Sequence, residues 1–223
     1  MAVRTGLPGP AGISLLLVPL KGQPGITTRP ILTSPSTAKT PTSGTAFITL
    51  TSARVPTTNL IGHENHGLSY ILSNFTHERL AIAIGATRQA RVALSEAIAY
   101  CMRREAFGKP LVGQPVVRHR LAKAGALLES LSAWVESVAF QASQIQKQNA
   151  NGNPVDDGNS ALSLGGTAAL VKAQAGIVLD ECARCAVLLF GGNGLTRTGV
   201  GETVSSKLPP SFTSSPELPN LRI

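Results

Sequence analysis

Aromatic residues make up only 4% of this 223-residue chain, too few to build the stacking platforms of a single-strand nucleic-acid binder. Its three cysteines cannot close a full set of disulfides, which argues against a disulfide-built secreted scaffold. Acidic residues are few as well: 12 Asp+Glu stand against 20 Lys+Arg, for a net charge of +8. That imbalance points to an anionic partner, whether nucleic acid, a phosphorylated cofactor or a membrane surface. Long hydrophobic runs are missing. The longest, Ile13–Leu20, falls far short of a membrane span and contains Pro19. Met1–Gly12 is rich in Gly and Pro instead of charged and then apolar, so it does not read as a signal sequence. What is present is 43% hydrophobic residues, enough for a real core. The length holds one domain, or one plus part of a second. These bounds predict a soluble, intracellular, anion-seeking chain without a membrane anchor.

The chain divides near residue 70. Before it, Gly12–Leu20, Gly25–Leu32, Ala46–Thr51 and Arg54–Ile61 are short Val/Ile/Thr/Leu-rich runs bounded by turn residues, and read as strands. Thr33–Ser43 reads as an exposed loop. So few strands make an incomplete sheet. From Ser73 the period becomes helical. A first helix is predicted from Phe75 to about Arg104, apolar on nearly every face as a buried helix is. Gly108, Pro110 and Gly113 break it. A second runs from about Pro115 to Gln148 with a stripe of Leu121, Ala124, Leu127, Leu128, Leu131, Trp134, Val135 and Val138. After the polar stretch Asn149–Asn159, a third runs from about Ser160 to Phe190 and stops at Gly191-Gly192. Three long helices with short connections predict most of an antiparallel bundle that a fourth would close. The fold class is therefore α+β: a partial β domain at 1–69, an incomplete antiparallel four-helix bundle at 70–202 and an irregular tail at 203–223.

Five groups of residues could carry chemistry. Around the turn between the first and second predicted helices lie Arg103, Arg104, Lys109, Arg118, His119, Arg120 and Lys123, opposed only by Glu105. Guanidinium groups bond phosphate oxygens in pairs, though a solvated helical surface carries such clusters too. Phe190-Gly191-Gly192-Asn193-Gly194 can cap a helix. It is no P-loop, and Arg197 stands where a dinucleotide fingerprint needs glycine. His63-Glu64-Asn65-His66 narrowly misses the zinc-protease spacing, and no metal site is expected. Cys182 and Cys185 suit core positions better than a redox pair. Lastly, Thr76-His77-Glu78-Arg79 opens the first predicted helix, where an acid suits the helix dipole. Glu78 runs straight into Leu80–Ile84, and a carboxylate desolvated there would gain basicity and could take a proton.

Taken together these residues resemble the acyl-CoA dehydrogenase family. The resemblance rests on Phe75-Thr76-His77-Glu78-Arg79-Leu80, Arg104-Glu105-Ala106-Phe107-Gly108-Lys109, Gln114, and Phe190-Gly191-Gly192-Asn193-Gly194. It covers roughly residues 4–202, with Gly12–Pro19 and Arg54–Gly62 similar to late strands of the family's middle β domain. It implies a flavoenzyme whose FAD removes two hydrogens from an acyl-CoA, with the C-terminal helical bundle represented here. By resemblance, Arg104 pairs with the pyrophosphate or adenine end of FAD and Phe107 packs nearby. Gln114, Gly191 and Gly192 contact the same cofactor, typically one held mainly by a neighbouring subunit of a dimer or tetramer. Thr76 and Arg79 lie near the acyl-CoA. Many members carry the base in a Glu-Gly-Thr-like segment after the glycine loop, which is not found here. A smaller branch, similar to isovaleryl- and long-chain-acting enzymes, places Glu directly before the first-helix Arg, and Glu78 has that position.

The chain also departs from the family. The N-terminal helical domain, the first part of the β domain and the fourth bundle helix are missing from its text, which reads as a truncated member. Leu188 stands where many relatives have a cofactor-contacting Gln, and Gln114 comes one residue early. The leading expectation is an FAD-dependent acyl-CoA dehydrogenase that passes electrons to an electron-transferring flavoprotein or to oxygen. The alternative is a non-catalytic helical association module. A basic nucleic-acid-binding protein ranks last, so no nucleic-acid partner is expected. Mitochondrial, peroxisomal and cytoplasmic locations all stay open.

Overall fold

A computed structural model describes residues 1–31, 45–150, 158–196 and 199–200. The expected loop Thr33–Ser43 and the expected tail at 203–223 lie outside the described residues, as does most of the polar stretch after the second helix. The chain forms two units, Met1–Phe75 and a second beginning at Thr76.

In the first unit, β1 (Ala2–Arg4), β2 (Ile13–Leu16) and β5 (Leu60–Ile61) make an antiparallel sheet in the order β1-β2-β5. β3 (Ile26–Ile31) and β4 (Thr45–Leu50) form a separate antiparallel ribbon paired from Ile26↔Leu50 to Ile31↔Thr45. β1 was not expected, because Gly6, Pro8, Gly9 and Pro10 follow it at once; it pairs Ala2 with Leu15 all the same. The Arg54–Ile61 run is a strand only at its last two residues, since Pro56 leads into a 3₁₀ turn at Thr57–Asn59. Ser14 is fully buried, and its hydroxyl is satisfied by Thr5 Oγ1 at 2.6 Å and the Asn65 N–H at 2.7 Å. Gly67 lies so close to the Ile13–Ser14 backbone that a Cβ would fall 2.8 Å from the Ile13 carbonyl oxygen. The α1 helix starts at that glycine.

Helix α1 spans Gly67–Arg103, α2 Pro115–Ala150 and α3 Gly158–Phe190. The first begins eight residues before the expected Phe75. Thr76–Arg79 therefore occupies the helix interior, and the helix-dipole role expected of Glu78 is ruled out. In the second unit the buried positions of α1 run Ala83, Thr87, Ala90, Leu94, Ala97, Cys101. Those of α2 run Ala124, Leu128, Leu131, Val135, Val138, and those of α3 run Ala168, Val171, Ala175, Val178, Cys182, Cys185. These positions step by three and four, the seam spacing of packed antiparallel helices, and Ala93, Leu179, Ala183, Ala186 and Phe190 widen the buried faces beside them. Alanine at every seventh position of α1 allows close helix approach, and the Thr87 hydroxyl donates to the Ala83 carbonyl at 2.8 Å, so its burial leaves nothing unpaired. Arg91 forks onto Glu129 at 2.7 and 3.2 Å and reaches Ser132 at 2.8 Å, linking α1 to α2. The hydrogen bond to Arg91 holds the Glu129 carboxyl below its ordinary range. Trp134, placed on the α2 stripe from sequence, turns outward. Ile82, Ile84, Ile98 and Met102 of α1 are exposed, although the residue pattern predicts a helix buried all round.

Candidate cofactor and substrate sites

Arg104 begins a hairpin. Its N–H donates to the Tyr100 carbonyl at 2.9 Å, and its own carbonyl accepts the Leu111 N–H at 2.8 Å. Between them β6 (Glu105–Ala106) and β7 (Lys109–Pro110) pair antiparallel around a two-residue turn. Both turn residues have positive φ, +56° at Phe107 and +76° at Gly108, the signature of a type I′ turn. Glycine takes this freely; a phenylalanine is strained there, at a cost of order 1–3 kcal/mol. Phe107 is also 92% exposed. Among the described residues nothing rewards a strained ring held in solvent, so the tip has the form of a contact surface. Leu111–Gly113 then makes a 3₁₀ turn, the half-buried Gln114 follows, and Pro115 opens α2, as its fixed φ favours.

The glycine loop lies at the same end of the bundle. After Phe190 the chain turns through a 3₁₀ segment, Gly191–Leu195. Gly191 takes φ +58°, the left-handed helix stop expected of it. Gly194 is glycine for packing, since a Cβ would lie 3.1 Å from the Phe190 Cβ and the Val187 carbonyl oxygen. At Gly192 a Cβ would meet nothing within 4 Å and φ is not positive. Among the described residues nothing requires its bareness, and it leaves backbone open to an incoming group. Tyr100 joins the loop to α1: its ring meets Phe190 edge-on, centroids 5.3 Å apart, and its hydroxyl accepts from Asn193 Nδ2 at 3.1 Å.

Beside these, α2 and α3 border a groove of about 800 Å³ carrying His119, Arg120, Lys123 and Arg184. Lys123 reaches Glu181 at 3.9 Å and Arg184 reaches Asp180 at 2.9 Å. Pairs this exposed are weak and leave the groove positive. The donor set suits a polyphosphate: Arg104 and the groove cations supply charge, and the start of α2 supplies free N–H groups. Leu188, also on the groove, is exposed and brings no hydrogen bond where an amide would. Of these features, Arg184 and Glu181 escape sequence reasoning, because only helix pairing brings α3 beside the start of α2. Tyr100 escapes it too, though it lies one helical turn before Arg104.

Cys182 and Cys185 are buried and free. Burial pushes the Cys182 thiol up to about 11, and the thiol points at the Ala124 carbonyl, 3.9 Å away. At neutral pH it stays protonated and is no nucleophile. Maleimide is expected to leave Cys101, Cys182 and Cys185 unlabelled in the native chain and to label them after denaturation. Rapid native labelling counted by mass spectrometry would contradict that.

Thr76, Glu78 and Arg79 sit elsewhere. Thr76 and Arg79 are half-buried and Glu78 is exposed, so the apolar enclosure expected for this carboxylate is not supplied by the described residues. At 1.5 Å per residue, Glu78 and Arg104 are about 39 Å apart along α1. The site residues thus form two groups: Arg104, Phe107, Gln114, Gly191 and Gly192 at one end, and Thr76, Glu78 and Arg79 toward the other. His63 and His66 face each other edge-on at 6.0 Å across a turn, and no cluster of three metal-ligating side chains occurs among the described residues. No helix among the described residues is long and apolar enough to cross a membrane.

The family described as acyl-CoA dehydrogenase, C-terminal domain, matches residues 65–205. An acyl-CoA dehydrogenase of Emericella nidulans is 51% identical over 93% of this chain and 44% of its own length. The mitochondrial isovaleryl-CoA dehydrogenase of Pongo abelii is 28% identical over 84% of this chain and 40% of its own. Among solved structures, a probable acyl-CoA dehydrogenase from Mycobacterium abscessus superposes with a TM-score of 0.73 at 31% identity, covering 92% of this chain and 50% of that one. The chain therefore spans about half the length of these relatives. A family match across the three helices, together with the hairpin and glycine loop at one end of them, places the chain in the acyl-CoA dehydrogenase family.

Proposed function

We propose that this chain contributes to an FAD-dependent site for α,β-dehydrogenation of an acyl-CoA thioester, with Glu78 as the base. The observation that carries this reading is the convergence of the Arg104 hairpin, the bare Gly192 backbone and the basic groove at one end of the bundle. Arg104 would hold the pyrophosphate or adenine end of FAD, Phe107 would pack on it, and Gln114, Gly191 and Gly192 would border it. When bound, FAD supplies the acceptor for the hydride that leaves the β carbon. Glu78 takes the α proton, which the thioester makes acidic, as the Cα–H bond breaks and the C=C bond forms. Thr76 and Arg79, half-buried on the same helix, would steady the acyl-CoA.

The distance between the groups supports an oligomer, a dimer or tetramer, in which each cofactor takes its base from one chain and its Arg104 from another. About 39 Å of helix exceeds the reach of one flavin dinucleotide. The electron acceptor would be an electron-transferring flavoprotein or oxygen. Exposed Ile84, Ile98, Leu170 and Ile177 favour a second reading, a helical module that only associates. A visible absorption spectrum after incubation with FAD and removal of the excess separates the two. A retained flavin band bleached by acyl-CoA is expected. A colourless protein would overturn the enzymatic reading and leave the association module.

A further inference from the structure

We infer that Tyr100 is a positioning residue, which ties the glycine loop to the Arg104 hairpin so that both face the cofactor as one body. The inference rests on the FAD reading above and adds to it the residue that sets the geometry.

One side chain and its backbone engage three segments. The Tyr100 ring closes on Phe190, the last residue of α3, at 5.3 Å and nearly perpendicular. Its hydroxyl accepts from Asn193 in the middle of the loop at 3.1 Å, and its carbonyl accepts the Arg104 N–H at 2.9 Å. The loop has further internal ties: Thr196 donates from its hydroxyl to the Asn193 carbonyl at 2.8 Å, and Gly194 packs on Val187 and Phe190. Among the described residues these hold the loop to α3 or to itself, whereas the Tyr100–Asn193 bond crosses to α1. Without it the loop keeps its internal ties and loses this crossing bond to α1. Phosphate recognition by backbone N–H groups and a guanidinium requires the two at fixed separation.

The test uses the purified full chain and three variants: Tyr100→Phe, which keeps the ring on Phe190 and removes only the hydroxyl; Asn193→Ala; and the double variant. Amide hydrogen exchange over 191–196 is measured first without FAD, so that this arm does not depend on the functional reading. Exchange is expected to rise roughly threefold to tenfold in each single variant, and no further in the double, because all three break the same bond. Asn193→Asp is expected to restore protection, the tyrosine hydroxyl now donating to the carboxylate. Unchanged exchange in the single variants, or additive effects in the double, would overturn the clamp. FAD retention is the second readout. Lower retention at unchanged melting temperature supports a positioning role, and equal retention in all variants rejects it. If the unaltered chain retains no FAD, the functional reading fails, and the exchange results alone still decide whether Tyr100 couples loop to hairpin.

Discussion

Glu78→Gln is expected to slow acyl-CoA-driven bleaching of the bound flavin by about 10²–10⁴-fold, the usual contribution of a positioned base, with flavin retention nearly unchanged. Glutamine has the same shape and hydrogen-bonding length but cannot accept the proton. Two features make the comparison clean. Glu78 is the one acidic residue between Glu64 and Glu96, so no carboxylate on an adjacent turn of α1 can substitute. It is also exposed in the interior of a long helix, and glutamine keeps its size and its helix-forming character. Matching melting curves for the variant and the unaltered chain separate a loss of bleaching from unfolding. The measurement is stopped-flow absorbance of the flavin band on mixing with acyl-CoA. Comparable rates in the variant would remove Glu78 from the base role.

Much of the helical unit is legible in the residues. The Ala124-Leu128-Leu131-Val135-Val138 spacing already specifies one seam, and Gly191 marks the end of α3 before any coordinates are known. The start of α1 is not legible, because it depends on a contact between distant residues: Gly67 begins the helix where the backbone of Ile13–Ser14 comes closest. Nor does an all-round apolar α1 say which face is buried. The alanine face packs, and the larger Ile84, Ile98 and Met102 stay outside, a choice that belongs to helix pairing and not to local pattern. At the candidate site the residue types are visible as text, but the division into two groups is not. Sequence order puts Glu78 and Arg104 near the two ends of one stretch; only the unbroken length of the helix, from Gly67 to Arg103, sets about 39 Å between them along its axis. The strain at Phe107 is similarly hidden, since a type I′ turn more often carries Asn or Asp before its glycine.

Arg104→Ala is expected to lower FAD retention about 10–100-fold, the worth of charge-assisted hydrogen bonds to a phosphate. The hairpin should survive, because Arg104 holds it through backbone groups, to Tyr100 and Leu111, and its side chain is exposed. Arg104→Lys is expected to recover only part of the loss, since an ammonium restores charge but not the paired donors of a guanidinium. Equilibrium dialysis or fluorescence titration with FAD measures each, and an unchanged affinity in Arg104→Ala would end the assignment. The separation of the two site groups gives this variant a second consequence. If each flavin takes its base from one chain and its arginine from another, Glu78→Gln and Arg104→Ala impair different chains of the same site. Mixing the two inactive variants under conditions that exchange subunits then concentrates both defects in one site of a hybrid dimer and leaves the other intact. Activity should return to about a quarter of the unaltered level for a two-fold symmetric pair. A site built within one chain predicts no recovery, because every chain in the mixture carries one defect.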